Sequence, residues 1–300
     1  MLEKIRWTYT MQIIQRIIEL LGDLWPYVIT GIVLTSLLTV FFPADRIKAY
    51  WGQRRWISIF VISLIAVMSP LSTFTLIPLV AFLWRENVPA ASLMAFLVAS
   101  PLMNPTLFFI TLGSIGWEMA LARTSVAILL GISAGLAVEI MNRNDYLKKY
   151  LQLSQAHFTV NPKPLQTGWS AFLLALKKNS RFILKFFILG ITIAAVVEIM
   201  IPPSWVYRLV GGGNRLGILL ATILGVPLYT CGGGSLPMIM VLINMGMDKG
   251  AALAYLTAGP ATQFSTLFTI PTAMRPAILA LYLTISLLGA IVSGYIYSFF

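Results

Sequence analysis

The only cysteine of the chain, Cys231, stands directly before three glycines and a serine in the stretch YTCGGGSLP, Tyr229 to Pro237. Where such a stretch begins a helix, the helix dipole stabilises a thiolate, which is a soft ligand for thiol-reactive solutes. The glycines leave bare backbone that a bound solute can approach closely. The pattern predicts one wall of a substrate site, made of Cys231, Gly232, Gly233, Gly234 and Ser235.

Two structural alternatives apply to the same stretch. A lone buried cysteine usually packs as a small hydrophobic residue. Glycines also let two transmembrane helices cross closely without any ligand between them. A Gly233→Val variant separates these hypotheses, because a substrate site predicts a folded protein that no longer transports, whereas a helix crossing predicts a protein that fails to fold.

Further hydroxyl and amide side chains cluster beside prolines inside apolar stretches. They are predicted to line the same cavity, with Ser72 in register with Cys231 and the others opposite: Ser72, Ser100, Asn104, Thr262 and Gln263. A proline interrupts the helix, and the N–H groups at a new helix start present the positive end of its dipole. Such a site suits an anion or a neutral, electron-rich solute. Ordinary helix packing is the alternative for each residue.

Charged residues within the apolar stretches lie towards the ends of those stretches, at Arg123, Glu139, Lys185 and Glu198. A charge at the bilayer centre costs roughly 2.5–3.5 kcal/mol on insertion scales. Snorkelling or pairing at the interface is therefore the simplest interpretation of these four residues. Glu198 is the best candidate for a carboxylate that couples transport to protons.

Enzymatic, metal and nucleic-acid functions find little support in the sequence. The single histidine, His157, falls in a polar linker, and one cysteine cannot form an internal disulfide or a multi-cysteine metal site. No serine has a visible base partner, and no cofactor is expected. The net charge of +11 comes from basic residues in short loops, which fits anionic lipid headgroups better than nucleic acid.

The composition is that of an integral membrane protein. The 300 residues are 58% hydrophobic and 10% charged, against about 25% charged residues in a typical soluble domain. The sequence predicts an all-α, polytopic transmembrane bundle of about eight apolar segments, at 25–42, 57–84, 89–112, 119–141, 182–201, 216–243, 250–270 and 276–299.

The chain also repeats itself. An offset of 159 residues superimposes helix-breaking residues, so that Gly31 falls on Gly190 and Pro101 on Pro260. Coincidence in a biased composition is the alternative. The repeat predicts four parts, which are an amphipathic N-terminal helix (1–24), a first transmembrane repeat (25–141), a cytoplasmic linker (142–180) and a second transmembrane repeat (181–300).

The two repeats are predicted to be inverted. A straight helix over 56–84 would be about 43 Å long in a hydrocarbon core of about 30 Å, so a re-entrant or broken helix fits better, and likewise at 216–243. Three crossings per half place the linker and most basic loop residues in the cytoplasm and both termini outside. Four full spans per half would instead make the repeats parallel.

These motifs resemble the ArsP-like predicted permeases, on PLYTCGGGSLP (227–237), GAALAYLTAGPAT (250–262) and SPLMNP (100–105). Tyr229 stands where the family has a first cysteine, and Gln263-Phe264 replaces its second Asn-Pro. Characterised relatives export trivalent organoarsenicals, which implies thiol chemistry at the site.

The expected function is a secondary permease of the plasma membrane that moves a small solute through a site between two repeats. The solute classes considered are a thiol-reactive metalloid, an organoarsenical or a small anion. A non-transporting membrane subunit is the alternative. The expected partners are the solute and the lipid bilayer, and a homo-oligomer is left open.

Overall fold

A computed structural model describes residues 2–41, 55–69, 76, 80, 83, 88–143, 168–212, 214, 216–230, 233–263 and 276–299. Within these ranges the protein has helices and no strand, which confirms the all-α prediction. The helices are α1 (Leu2–Phe41), α2 (Arg55–Met68), α3 (Ala90–Leu102), α4 (Pro105–Ser114), α5 (Trp117–Arg143), α6 (Trp169–Met200), α7 (Pro203–Val210), α8 (Gly217–Leu228), α9 (Ser235–Asn244), α10 (Lys249–Thr262) and α11 (Pro276–Tyr297).

Five helical stretches in the described part are long and apolar enough to cross a membrane, namely Thr10–Leu38, Ala90–Ser114, Trp117–Arg143, Trp169–Met200 and Ala277–Tyr297. Three shorter apolar helices accompany them, at Trp56–Met68, Gly217–Leu228 and Ser235–Asn244. The multi-pass architecture therefore agrees with the sequence, whereas the predicted count of about eight spanning segments is not confirmed.

Helix α1 passes through the predicted boundary between 24 and 25 without a break. It runs from Leu2 to Phe41 with Pro26 inside, and its apolar span already begins at Thr10. The hydroxyl of Thr30 donates to the Pro26 carbonyl at 2.8 Å, as threonines in helices commonly do with the carbonyl four residues earlier. An interfacial position for residues 1–24 stays a prediction.

Helices α1 and α6 pack antiparallel. Near the start of α1, Arg16 Nε lies 2.7 Å from Glu198 Oε2 near the end of α6. Near the end of α1, Ser36 Oγ accepts a hydrogen bond from Asn179 Nδ2 at 3.1 Å near the start of α6. The two contacts fix the opposite directions of the helices.

The helix bounds follow the offset of 159 residues. Helix α3 moved by this offset covers 249–261, where α10 lies, and the C-terminal part of α1 moves onto α6. Antiparallel packing of two helices at matching positions is what an inverted repeat predicts, because parallel repeats would carry α1 and α6 in the same direction. The duplication itself stays a prediction.

Segment 216–243 is broken as predicted, and it returns to the end of the bundle from which it started. Helix α8 ends at Leu228 and α9 begins at Ser235. Val210 lies just before this segment and Asp248 just after it. The Asp248 amide donates a hydrogen bond to the Val210 carbonyl at 2.9 Å. The two helices, with 12 and 10 residues, are about 18 and 15 Å long. Each is too short to span the bilayer alone.

The matching segment of the first half is described only in part. Helix α2 has 14 residues and ends at Met68, so it too falls short of a full crossing. Residues 70–75, where its predicted break lies, are outside the described residues.

Helices α3 and α10 form the centre of the bundle. The span made by α3 and α4 is 78% buried, against 28–39% for the other four spans, and nearly all of α10 is buried. Helix α3 packs against α2, α5 and α10, and α10 also packs against α8 and α11. The break between α3 and α4 therefore lies inside protein, where irregular backbone is tolerated at membrane depth.

Candidate functional site

A hydrogen bond to the side chain of Ser235 stabilises the break between α8 and α9. Tyr229 and Thr230 continue from α8 as non-helical residues, and Ser235 starts α9. The buried Ser235 Oγ accepts a hydrogen bond from the Thr230 amide at 2.7 Å. Ser235 thus satisfies a backbone donor that the break leaves without a helical partner.

The two described glycines of the break pack against neighbouring helices. Gly233 has φ +84°, a conformation that favours glycine, and a Cβ there would lie 2.8 Å from Ile110 Cδ1 of α4. A Cβ on Gly234 would overlap the Phe186 carbonyl oxygen of α6, and one on Gly190 would overlap Gly234. The close approach at Gly234 is therefore a helix crossing, as the packing alternative expects.

Three predicted site residues, Ser72, Cys231 and Gly232, lie outside the described residues. Their roles stay predictions, as does the approach of Ser72 to Cys231. The described neighbours fix only the ends of the second break, at Thr230 and Gly233.

The first-half break lies at Met103 and Asn104, which are both extended. Asn104 caps α4, because its Oδ1 accepts a hydrogen bond from the Leu107 amide at 2.9 Å, and Pro105 occupies the first turn. This Asn-Pro pair is a local helix-start pattern. Ser100 is buried on α3, and its hydroxyl has no hydrogen-bond partner among the described residues.

The remaining predicted residues lie at the end of α10. Thr262 Oγ1 donates to the Ala258 carbonyl at 2.8 Å, and Gln263 follows as the first residue beyond the helix. Because α10 packs against α3 and α9 packs against α4, the structure brings the broken elements of both halves together. The division of the predicted residues into two facing walls stays a prediction.

Glu198 is engaged in an ion pair. Its carboxylate accepts a hydrogen bond from Arg16 Nε at 2.7 Å, and the side chains are 29% and 27% exposed. The two charges are therefore paired, and the position of the pair at the membrane interface stays a prediction. A proton-coupling role for Glu198 stays a prediction.

Arg123 corrects the expectation of a snorkelling side chain. It is 3% exposed, and its Nη1 donates to Thr111 Oγ1 of α4 at 2.5 Å. The side chain of Tyr229, at the start of the second break, interacts with the same guanidinium. A buried cation therefore lies beside the interrupted segment.

Two tyrosines complete this polar cluster. The Tyr229 and Tyr255 rings lie 6.4 Å apart between centroids, and Gly259 makes room for the Tyr229 ring. Tyr255 faces Ser235, and its hydroxyl has no hydrogen-bond partner in the described part of the chain. We define the Arg123 cluster as Arg123, Thr111, Tyr229, Tyr255 and Ser235.

Apart from Ser235, the sequence-based prediction missed this cluster. A signal was present, because no acidic residue stands three or four positions from Arg123 to pair with it along the helix. The described residues contain no group of three or more histidine, cysteine or acidic side chains that could hold a metal ion.

A bundle of described helices, several of them of membrane length and some interrupted and buried at its centre, defines a multi-pass membrane protein. The chain belongs to the predicted permease family ArsP_1, whose model matches residues 9–299. The family resemblance drawn from the motifs is thus confirmed, and membership points to a transporter rather than an enzyme. The family locates the chain in the cell membrane.

Curated relatives cover most of the chain. It is 23% identical over 306 residues to a UPF0718 protein of Methanocaldococcus jannaschii, covering 82% of this chain and 84% of the relative. It is 21% identical over 270 residues to a protein of Streptococcus mutans named putative two-component membrane permease complex subunit, covering 88% of each. A UPF0718 protein of Escherichia coli is 22% identical over 280 residues, covering 90% of this chain and 76% of the relative. No solved structure matches the chain.

Proposed function

We propose that this permease is a secondary transporter that moves a small solute through a site between two inverted repeats. One observation carries the proposal. The segment between Val210 and Asp248 enters the bundle and returns to the same end, and its broken middle lies beside buried polar side chains. Substrate sites of secondary transporters form where interrupted helices of two related halves meet.

The solute classes follow from the two chemistries at the break. Cys231 supplies a thiol for a thiol-reactive metalloid or organoarsenical. The N-terminus of α9 and the buried polar cluster favour an anion. No nucleotide-binding motif was found in the sequence, so coupling to an ion gradient is proposed, with Glu198 as candidate.

Reconstitution of the purified chain into proteoliposomes tests the proposal. Uptake of radiolabelled sulfate, thiosulfate, phosphate and arsenite, together with protection from phenylarsine oxide, would be compared with empty liposomes under imposed proton and sodium gradients. The proposal expects saturable flux of at least one solute from the purified chain alone. Absence of flux for every solute and gradient would contradict it.

A second candidate, a subunit without transport activity of its own, is favoured by the printed name of the Streptococcus mutans relative. In that case flux requires a second protein. Affinity purification from the native membrane, followed by reconstitution with and without the co-purified protein, separates the two candidates.

A further inference from the structure

Arg123 is a buried cation whose side chain is only partly used by the protein. Nη1 donates to Thr111, and Tyr229 lies beside the guanidinium. Nη2 is buried and has no hydrogen-bond partner among the described residues. A buried arginine normally uses its fork of donors on a carboxylate or another anion. Nη2 is therefore a donor that the described residues leave unused.

The six carboxylates whose side chains the structure describes do not supply the missing counter-charge. Each is paired elsewhere, caps a helix or is exposed: Glu19 and Glu198 with Arg16, Glu118 with Lys249, Glu139 with Arg143, Asp248 at the start of α10, and the exposed Asp23. An unpaired buried charge is costly, so a mobile anion is the remaining way to neutralise Arg123 within the described structure.

The surroundings of Arg123 favour an anion over a neutral solute. The Thr111 hydroxyl donates to the Leu107 carbonyl at 2.6 Å and therefore accepts from Arg123. The Tyr255 hydroxyl is buried and has no hydrogen-bond partner among the described residues. Of the first three residues of α9, only Ser235 can offer its amide to a ligand, since the Leu236 amide donates to the Gly233 carbonyl and Pro237 has no N–H. Donors predominate, and a small oxyanion would supply the acceptors they lack.

The residue types of the cluster are not repeated at the matching positions of the other half. At the offset of 159 residues, Arg123 matches Tyr282 of α11 and Tyr255 matches Phe96 of α3. Tyr282 is fully buried, and its hydroxyl also has no hydrogen-bond partner among the described residues. The charge is therefore not a requirement of the repeated architecture, and Tyr282 offers a matched control.

We propose that Arg123, together with Tyr255 and the N-terminus of α9, binds a small oxyanion at the second break, and that this anion is a transported substrate. The transport part of this inference rests on the proposed function. The binding part does not, so binding and flux are measured separately.

The test is equilibrium binding of radiolabelled sulfate, thiosulfate, phosphate and nitrate to the purified chain in detergent, in sodium gluconate at constant ionic strength. The wild type is expected to bind at least one of them saturably. Arg123→Gln should weaken that binding by about tenfold or more, as expected for losing a charged hydrogen bond. Arg123→Lys should bind with intermediate affinity, and Arg143→Gln should bind as the wild type does.

Tyr255→Phe keeps the experiment decisive if the arginine variants do not fold. It removes a hydroxyl that has no hydrogen-bond partner among the described residues, so a purely structural role leaves binding unchanged, whereas the anion site predicts a loss of about threefold to tenfold. Tyr282→Phe removes an equivalent hydroxyl and should bind as the wild type does. Binding of none of the four anions by the wild type, or unchanged binding in Tyr255→Phe, overturns the inference.

Flux distinguishes this inference from the proposed function. Saturable anion binding without flux would support the anion site and contradict the transport of the anion. Flux that is unchanged by Arg123→Gln would support the proposed permease function and contradict the anion site.

Discussion

Gly190 of α6 lies directly against the backbone of Gly234 at the start of α9, and a Cβ on Gly190 would overlap the Gly234 carbonyl group. The contact joins a long transmembrane helix to the interrupted segment. Because the obstacle is backbone rather than a flexible side chain, the neighbour cannot move aside without displacing α9.

Gly190→Ala is expected to destabilise the folded protein by about 1–3 kcal/mol, the usual cost of overpacking a core. Gly22→Ala in α1 is the matched control, since no atom lies within 4 Å of the added Cβ and alanine favours a helix over glycine by up to about 1 kcal/mol. Thermal unfolding in detergent measures both. An equal transition temperature for Gly190→Ala and wild type would contradict the helix crossing.

The antiparallel packing of α1 and α6 predicts which cysteine pairs can be cross-linked. In a Cys231→Ser background, cysteines at Ser36 and Asn179 should be joined by a short bifunctional thiol reagent, because their polar atoms lie 3.1 Å apart. The pair Arg16 and Asn179 should not react, since those residues lie at opposite ends of the contact. Reaction of the second pair alone would indicate parallel helices and remove the support for inverted repeats.

The helix contacts also predict that both chain termini lie on one side of the membrane. The start of α1 lies beside the end of α6, and a Cβ on Gly250 would be 2.8 Å from Ser298 Cβ beyond α11. At the opposite end of the bundle, Arg143 stacks 5.5 Å from the Trp56 ring. Single cysteines at Glu3 or Phe299 should therefore react with an impermeant reagent added outside, whereas one at Lys163 should react only after permeabilisation.

Labelling of Lys163→Cys alone from outside would reverse the orientation but keep the fold. Labelling of all three positions on the same side would require an even number of crossings in each half and contradict the inverted arrangement.

The interruption of the second half could be predicted because its cause is local. Three consecutive glycines weaken a helix wherever they occur, and the structure ends α8 at Leu228, a few residues before them. Asn104-Pro105 was also a local signal, but for a helix start rather than a ligand, as its cap on Leu107 indicates. Continuity of α1 through Pro26 could not be predicted, since a transmembrane helix tolerates a proline that a soluble helix would not.

Burial of Arg123 could not be predicted from its position in the sequence. It depends on the packing of α5 against α4 and on the place of Tyr229, which lies far away along the chain. Position near a helix end indicates snorkelling only when that end faces lipid or water. Here the Arg123 end of α5 faces another part of the protein. The tertiary contact therefore determines that Arg123 is buried.

Mutations should separate the contribution of the Cys231 thiol at the second break from that of the Arg123 guanidinium. Cys231→Ser keeps the size and polarity of the side chain but removes the soft ligand. We expect it to lower protection from phenylarsine oxide by at least about tenfold, since changes only around a metal ligand already cost about that much, and to leave oxyanion flux unchanged. Arg123→Gln should have the reverse effect, because the guanidinium attracts charge and contributes nothing to sulfur–arsenic bonding.

Growth of expressing cells in phenylarsine oxide measures the first effect, and flux of radiolabelled oxyanion in proteoliposomes measures the second. Size-exclusion chromatography of the extracted membranes compares how much folded protein each variant yields. If Cys231→Ser changes neither solute while remaining folded, Cys231 is a packing residue and the thiol is not part of the site. If both variants lose both solutes although folded, one pocket serves both chemistries, and the thiol and the guanidinium contact the same bound solute.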